Sequence, residues 1–266
     1  MKYRRLGRTN LQVSELCLGT MMFGDQTDAA EAAKIVASAR EHGVNFIDTA
    51  DVYTHGASER VLAPLIASGR DHWILASKVG NTMSDQPNEE RYSRKWMMRE
   101  LDASLARLGT DYIDLYYLHR DFEDENLEEA MRALDDMTRA GKIRYFGLSN
   151  YRGWRIAEVV RVCDALGVAR PAVLQPYYNL LNRMPEVEIL PACASYGLGV
   201  VPYSPIARGV LSGKYRPGQA PEAGSRAARN DKRIMETEWR TESLEIAQTL
   251  AAHAQATGVP VAVLET

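Results

Sequence analysis

The stretch Phe46-Ile47-Asp48-Thr49-Ala50-Asp51-Val52-Tyr53 decides the architecture. A short apolar run ends in an aspartate, and five residues later comes a tyrosine followed by THGASER (54–60), which reads as a loop entering a helix. An apolar run of this kind is a strand covered on both faces, and its polar residues fall at its C-terminal end.

The same unit recurs along the chain. Apolar runs at 15–19, 45–49, 73–79, 113–119, 143–148, 172–177 and 199–203 alternate with amphipathic helical segments. One helix places Ala32, Ile35, Val36 and Ala39 on one face, and another places Met97, Leu101, Leu105 and Leu108 there. Leu127, Met131, Leu134 and Met137 form a third face, and Ile156, Val159, Val160 and Cys163 a fourth. Glycines at 43, 109, 141, 167 and 197 follow the helix ends, where a left-handed residue closes a helix at little cost. A helix from about Ser58 is expected to be interrupted at Pro64. Residues 2–13 read as an opening hairpin around Gly7-Arg8-Thr9-Asn10.

Strand followed by helix with short links implies parallel strands and right-handed crossovers, so a (β/α)8 barrel and a doubly wound sheet compete. No G-x-G-x-x-G turn follows an early strand, as a doubly wound dinucleotide fold would require. Asp48, Lys78, His119, Asn150 and Gln175 each lie at the C-terminal end of a different run, which is where a barrel gathers its chemistry. The expected fold class is therefore α/β, a TIM barrel with an N-terminal β-hairpin.

Composition narrows the function. The chain has 266 residues, 45% hydrophobic, enough for one large core. A net charge of −3 and a pI near 6.0 leave no basic excess for nucleic acid. Cys17, Cys163 and Cys193 are widely spaced in apolar surroundings, which fits reduced core thiols rather than disulfides or a metal site. No opening segment resembles a secretory signal and no run approaches the roughly 18 apolar residues of a membrane span. A cytoplasmic protein is expected, and a homo-oligomer is compatible with this reading. Residues 216–239, beginning Arg216-Pro217-Gly218, lack a clear period and read as a flap over a ligand.

Taken singly, the polar residues at the strand ends have ordinary explanations: Asp48 as a turn former, Lys78 as a solvated charge, His119 as a structural hydrogen-bonding residue and Tyr53 as a packed aromatic. Together they can do more. A phenol with a pKa near 10 is a poor acid at neutral pH, but a neighbouring ammonium stabilises its phenolate and a carboxylate holds that ammonium. Tyr53, Lys78 and Asp48 supply those roles, while neutral His119 can orient a carbonyl oxygen. This is machinery for protonating an oxygen as a carbonyl is reduced.

LGT (18–20) with MMFG after it, FIDTADVY (46–53), ASKVG (76–80), YYLHRD (116–121), FGLSNY (146–151), LQPYYNLLNR (174–183) and VPYSPIARGVLSGKY (201–215) occur in that order. As a set they resemble the aldo-keto reductase superfamily. The resemblance implies Asp48, Tyr53, Lys78 and His119 as a catalytic tetrad, hydride transfer from a nicotinamide, usually NADP(H), and no metal. It implies Ser149, Asn150 and Gln175 at the carboxamide and Tyr203 stacked on the nicotinamide ring, with Gly19, Thr20, Met21 and Asp48 also on the cofactor side. Ser204, Pro205, Ile206, Arg208, Gly209, Leu211 and Lys214 fall in the segment that wraps the pyrophosphate, where small residues admit backbone N–H groups and the two cations add charge. Met22, Phe23, Val79, Asn81, Asp121, Phe122 and Tyr151 are expected around the mouth that receives a small-molecule aldehyde or ketone. The alternative is a nicotinamide-binding regulatory subunit, like the channel-associated branch of the same superfamily.

Seven runs leave a barrel one strand short. Residues 259–264 read locally as an eighth strand, whereas by the resemblance they begin a further helix, with the family's last strand and helix after Thr266. On that alignment residues 1–266 form a single barrel domain that is C-terminally incomplete, and the 2′-phosphate segment is missing from it.

Overall fold

The computed structural model describes residues 1–261. Contacts divide the chain into two compact units, one of Met1–Gln175 with Glu188–Val201 and one of Pro176–Val187 with Pro202–Thr266.

The first unit opens with a hairpin, β1 (Tyr3–Arg5) antiparallel to β2 (Gln12–Ser14). Gly7 at its turn has φ +54°, and a Cβ there would stand 2.4 Å from the Gly199 nitrogen, so only glycine allows the hairpin to press against the start of the last strand. The expected hairpin is present.

Seven parallel strands follow in one sheet: β3 (Cys17–Gly19), β4 (Phe46–Asp48), β5 (Ile74–Val79), β6 (Ile113–Leu118), β7 (Ile143–Ser149), β8 (Val173–Gln175) and β9 (Gly199–Val200). Their order in the sheet is their order in the chain. A doubly wound sheet reverses direction at a switch point, so unidirectional winding is the order that a (β/α)8 barrel requires. The last two strands stop short of the expected runs because Pro176 and Pro202 follow them and offer no ladder N–H.

Helices α1 (Ala29–Glu41), α2 (Ala57–Ala67), α3 (Arg94–Leu108), α4 (Leu127–Arg139), α5 (Gly153–Leu166) and α6 (Ile189–Tyr196) alternate with the strands. Their starts and stops are local chemistry. Asp28, Ser93 and Asn126 accept N-cap hydrogen bonds, and Gly109, Gly167 and Gly197 close helices in the left-handed region. The break expected at Pro64 does not occur, since α2 runs through it. Leu62 and Ile66, at or below 1% exposure, anchor the helix on both sides of the proline, and their burial, about 2 kcal/mol each, offsets the lost hydrogen bond.

Two apolar layers line the sheet. Phe46, Ala76, Leu115, Tyr117 and Val173 pack on one face with Leu6 and Val13 of the hairpin. The other face meets the helices through residues such as Ile47, Leu75, Tyr116, Met97, Leu134 and Val159. Alternation along each strand produces the division.

In the second unit, Tyr203 and Tyr177 form an isolated parallel bridge, and α7 (Lys232–Thr237) and α8 (Thr241–Thr257) pack around Leu211, Tyr215, Ile234 and Leu244. The stretch 216–239 is thus not wholly irregular: Asp231 accepts from the Ile234 amide and caps α7, which at six residues is too short to show a period. Of the segment 259–264, for which a strand and a helix were alternatives, residues 262–264 lie outside the described residues. No described helix is long and apolar enough to cross a membrane.

Candidate active site

The C-terminal ends of consecutive strands bring the expected side chains of the first unit together. Asp48 closes β4, Lys78 is next to last in β5, His119 follows β6, Ser149 closes β7 and Gln175 closes β8. Parallel register aligns them: Asp48 sits opposite Ala76, Lys78 opposite Tyr117 and Ser149 opposite Gln175.

Lys78 is fully buried. Its ammonium has three N–H donors, and each finds an oxygen: the Asp48 carboxylate, the Thr49 carbonyl at 2.7 Å and the Tyr53 hydroxyl at 3.1 Å. Burial pulls the lysine pKa down, but the Asp48 charge, then Tyr53 and their hydrogen bonds, outweigh it and hold the pKa above the usual lysine value. The ammonium also lies 4.7 Å from the Tyr53 ring centre and 5.9 Å from that of Tyr117.

A hydrogen-bond chain extends from this pair. Gln175 donates through Nε2 to the second Asp48 oxygen at 3.1 Å, and the Ser149 hydroxyl donates to the Gln175 carbonyl at 3.1 Å. Asn150 donates to Ser149 Oγ and to the His119 carbonyl, both at 3.1 Å. Asn150 adopts φ +62°, a conformation that asparagine tolerates better than most residues. The His119 ring meets the Tyr53 ring edge to face, with centres 5.8 Å apart.

Tyr53 stands on a strained turn. Thr54 and His55 both lie in the left-handed region, at φ 50° and 49°, and Thr54 is β-branched. Such strain persists where surrounding contacts over-determine the backbone, and here it fixes the tyrosine beside Lys78. Behind it, Ser58 at the start of α2 exchanges hydrogen bonds with Thr20 and Thr49, at 2.9 and 3.0 Å, and so ties the ends of β3 and β4 to the helix.

The expected residues around the mouth divide. Phe23, Val79 and Tyr151 are buried, and Asp121 pairs with Arg155 at 3.2 Å. Met22, Asn81 and Phe122 remain half-buried. On the cofactor side, Gly19 leaves open space where a Cβ would stand, Thr20 is buried and Met21 is half-buried.

In the second unit Tyr203 packs against Tyr177 with ring centres 5.5 Å apart. Ser204, Ala207 and Arg208 all take positive φ, so the backbone turns tightly through this segment. Pro205 and Ile206 are half-buried, Gly209 and Leu211 are buried, and Lys214 is exposed. Arg208 reaches Thr237 Oγ1 at 3.2 Å and the buried Glu238 carboxylate at 3.8 Å, and Glu238 also accepts from the Tyr177 hydroxyl. Burial, with the charges of Arg226 and Arg233, lowers the Arg208 pKa. Glu238, Arg226 and Arg233 do not stand out in the sequence, where the cation-rich run 226–233 gives no hint that its charges gather at Arg208.

The description of the family model that matches the chain, over residues 15–264, is aldo/keto reductase family. An oxidoreductase of Bacillus subtilis named YrpG is 38% identical over 86% of this chain and 73% of its own length. A rice protein named a probable voltage-gated potassium channel subunit beta is 36% identical over 99% of this chain and 82% of its own. Rat aflatoxin B1 aldehyde reductase member 2 is 36% identical over 75% of this chain and 54% of its own.

Proposed function

The chain belongs to the aldo/keto reductase family, and on that premise we propose that it reversibly reduces an aldehyde or ketone to the alcohol with NAD(P)H. The observation that carries this reading is the buried Lys78 ammonium, saturated by Asp48, the Thr49 carbonyl and the Tyr53 hydroxyl. In this reading the seven-stranded sheet belongs to a (β/α)8 barrel.

Features of each unit fit a nicotinamide cofactor. Gly19 leaves room beside Asp48, while Ser149, Asn150 and Gln175 offer polar groups for a carboxamide. In the second unit, Arg208, Arg226 and Arg233 crowd positive charge that a pyrophosphate would relieve, and the tight turn 204–209 supports that assignment. Tyr203 would stack on the nicotinamide ring, and Ser204, Pro205, Ile206, Gly209, Leu211 and Lys214 complete the segment, with buried Leu211 contributing its backbone. NADP over NAD rests on family habit.

When bound, the nicotinamide supplies the hydride that reaches the carbonyl carbon. Tyr53 gives its proton to the carbonyl oxygen, Lys78 stabilises the phenolate that remains, and Asp48 keeps the lysine charged and in place. His119 orients the carbonyl oxygen beside Tyr53. Met22, Asn81 and Phe122 are the mouth residues whose side chains stay accessible to substrate.

The test is NADPH oxidation with a panel of aldehydes. Tyr53→Phe should lower kcat/KM by about 10²- to 10⁴-fold, the usual worth of a general acid. Equal rates for the two proteins would refute the mechanism.

A second reading, a nicotinamide-binding regulatory subunit, is favoured by the likeness of 99% of the chain to the rice protein named a channel subunit. Tight NADPH binding without turnover of any carbonyl would support it.

A further inference from the structure

Resting on the reductase reading, we infer that Arg120 selects carbonyl substrates that carry a carboxylate, holding that group while the carbonyl sits at Tyr53 and His119.

Arg120 directly follows His119 at the end of β6. Arg120 is next to His119 in the chain, and its guanidinium lies over Phe122, one of the residues expected at the mouth, so a group held there lies at the approach to the histidine. Its backbone is fixed at both polar atoms. The buried Tyr92 hydroxyl accepts from the Arg120 amide at 2.9 Å and donates to the Arg120 carbonyl. The side chain is exposed, and its guanidinium carbon stands 5.5 Å from the Phe122 ring centre. Tyr92 meets the same phenylalanine edge-on, with centres 5.3 Å apart, so the ring that supports Arg120 is itself braced.

What distinguishes Arg120 is the charge balance around it. Residues 121–125 carry four carboxylates, and each is matched by another arginine. Asp121 pairs with Arg155 at 3.2 Å and Glu123 with Arg152 at 2.7 Å. Asp124 and Glu125 both turn to Arg91, at 3.0 and 3.7 Å. Arg91 also stacks on Phe122, at 4.9 Å, but its charge is spent on those two acids. Among the described residues Arg120 has no carboxylate partner, although four acids follow it within five residues of the chain. A loop with this many acids could have neutralised Arg120, and instead leaves a braced cation beside the histidine. A guanidinium fork matches a carboxylate with two parallel hydrogen bonds, which makes that group the fitting ligand.

The experiment compares 4-carboxybenzaldehyde with methyl 4-formylbenzoate, a neutral analogue of similar shape, on wild type, Arg120→Gln and Arg120→Lys. Arg120→Gln should lower kcat/KM for the carboxylate about tenfold, mainly through KM, and leave the ester within about twofold. Arg120→Lys should recover part of the loss, because it keeps the charge without the fork. Calorimetry without added cofactor supplies a readout independent of turnover: 4-(hydroxymethyl)benzoate should bind about tenfold more weakly to Arg120→Gln, and 4-(hydroxymethyl)benzamide equally well to both. Turnover of both aldehydes with an unchanged preference and unchanged benzoate binding overturns the role of Arg120 and leaves the reductase reading standing. A charge-dependent loss of binding with no turnover of either aldehyde, or of any carbonyl in the panel, keeps Arg120 as a carboxylate-binding group but overturns both the reductase reading and its role in selecting carbonyl substrates.

Discussion

Ser77 and Lys78 are neighbours on β5, so their side chains point to opposite faces of the sheet, and each enters a buried cluster of charges. On the Lys78 face one ammonium meets one carboxylate and one phenol, all its donors are used, and half-buried Tyr53 keeps its oxygen at the strand end. On the Ser77 face acids outnumber the cation. Ser77 donates to Glu59 at 2.6 Å, Arg107 bonds Glu59 at 2.5 Å and also Glu100 and Ser104, and Asp51 lies near enough to feel both glutamates. Burial raises the pKa of Asp51 well above the usual aspartate value, and it raises that of Glu100 too, despite Arg107. The second cluster therefore holds two carboxyls whose pKa burial raises, yet it is closed between α2, α3 and the sheet. Perturbed titration alone does not mark chemistry; a group at the strand end that can present an atom to a ligand does.

The largest expected effect comes from breaking the first cluster. Lys78→Met should lower kcat for aldehyde reduction by about 10³-fold, since it removes the charge that stabilises the Tyr53 phenolate. Wild-type turnover in that variant would detach Lys78 from the phenol.

Arg107→Met should do the opposite. It leaves the buried carboxylates without their cation and should cost about 3–5 kcal/mol in urea unfolding, the usual penalty for removing one partner of a buried pair. At temperatures where the variant stays folded, kcat should stay within about twofold of wild type. A loss of kcat comparable to that of Lys78→Met would mean the two faces are coupled.

Asp51→Asn gives the smallest and most diagnostic change. Burial, then the charges of Glu100 and Glu59, keep the folded carboxyl protonated to a higher pH than the unfolded one. The stability this contributes is fully present below the unfolded pKa of about 3.9, and is lost as pH rises toward the folded value. An amide does not titrate. Thermal unfolding followed by circular dichroism should show Tm of Asp51→Asn minus wild type growing from pH 4.5 to pH 8. A difference that shrinks over that range would mean Asp51 is ionised in the fold.

Much of this was legible in the chain. The seven apolar runs became seven parallel strands because strands covered on both faces must be apolar throughout, whatever the tertiary detail. Asp48, Lys78 and His119 could be picked out because each stands where an apolar run gives way to a loop, and Tyr53 because it follows Asp48 by five residues. Pro64 misled, since local propensity counts the lost hydrogen bond and not the burial of Leu62 and Ile66 on either side. The short helix Lys232–Thr237 was hidden by its length. Of the residues expected at the mouth, Phe23, Val79 and Tyr151 are buried while Met22, Asn81 and Phe122 are half-buried, a division that the sequence does not show because burial in and after a strand end depends on the neighbouring loops.

The sequence by itself determined the alternation of strand and helix, the winding of the sheet and the residue types gathered at the strand ends, because periodicity, caps and turn residues are local properties. Only the tertiary structure decided which oxygens complete the Lys78 ammonium, that Ser77 beside it joins a separate closed cluster, and that Arg120 alone is left without an acid among the described residues of its loop. Those outcomes depend on distances between residues far apart in the chain, and in a buried site a difference of one or two ångströms decides whether charges are paired.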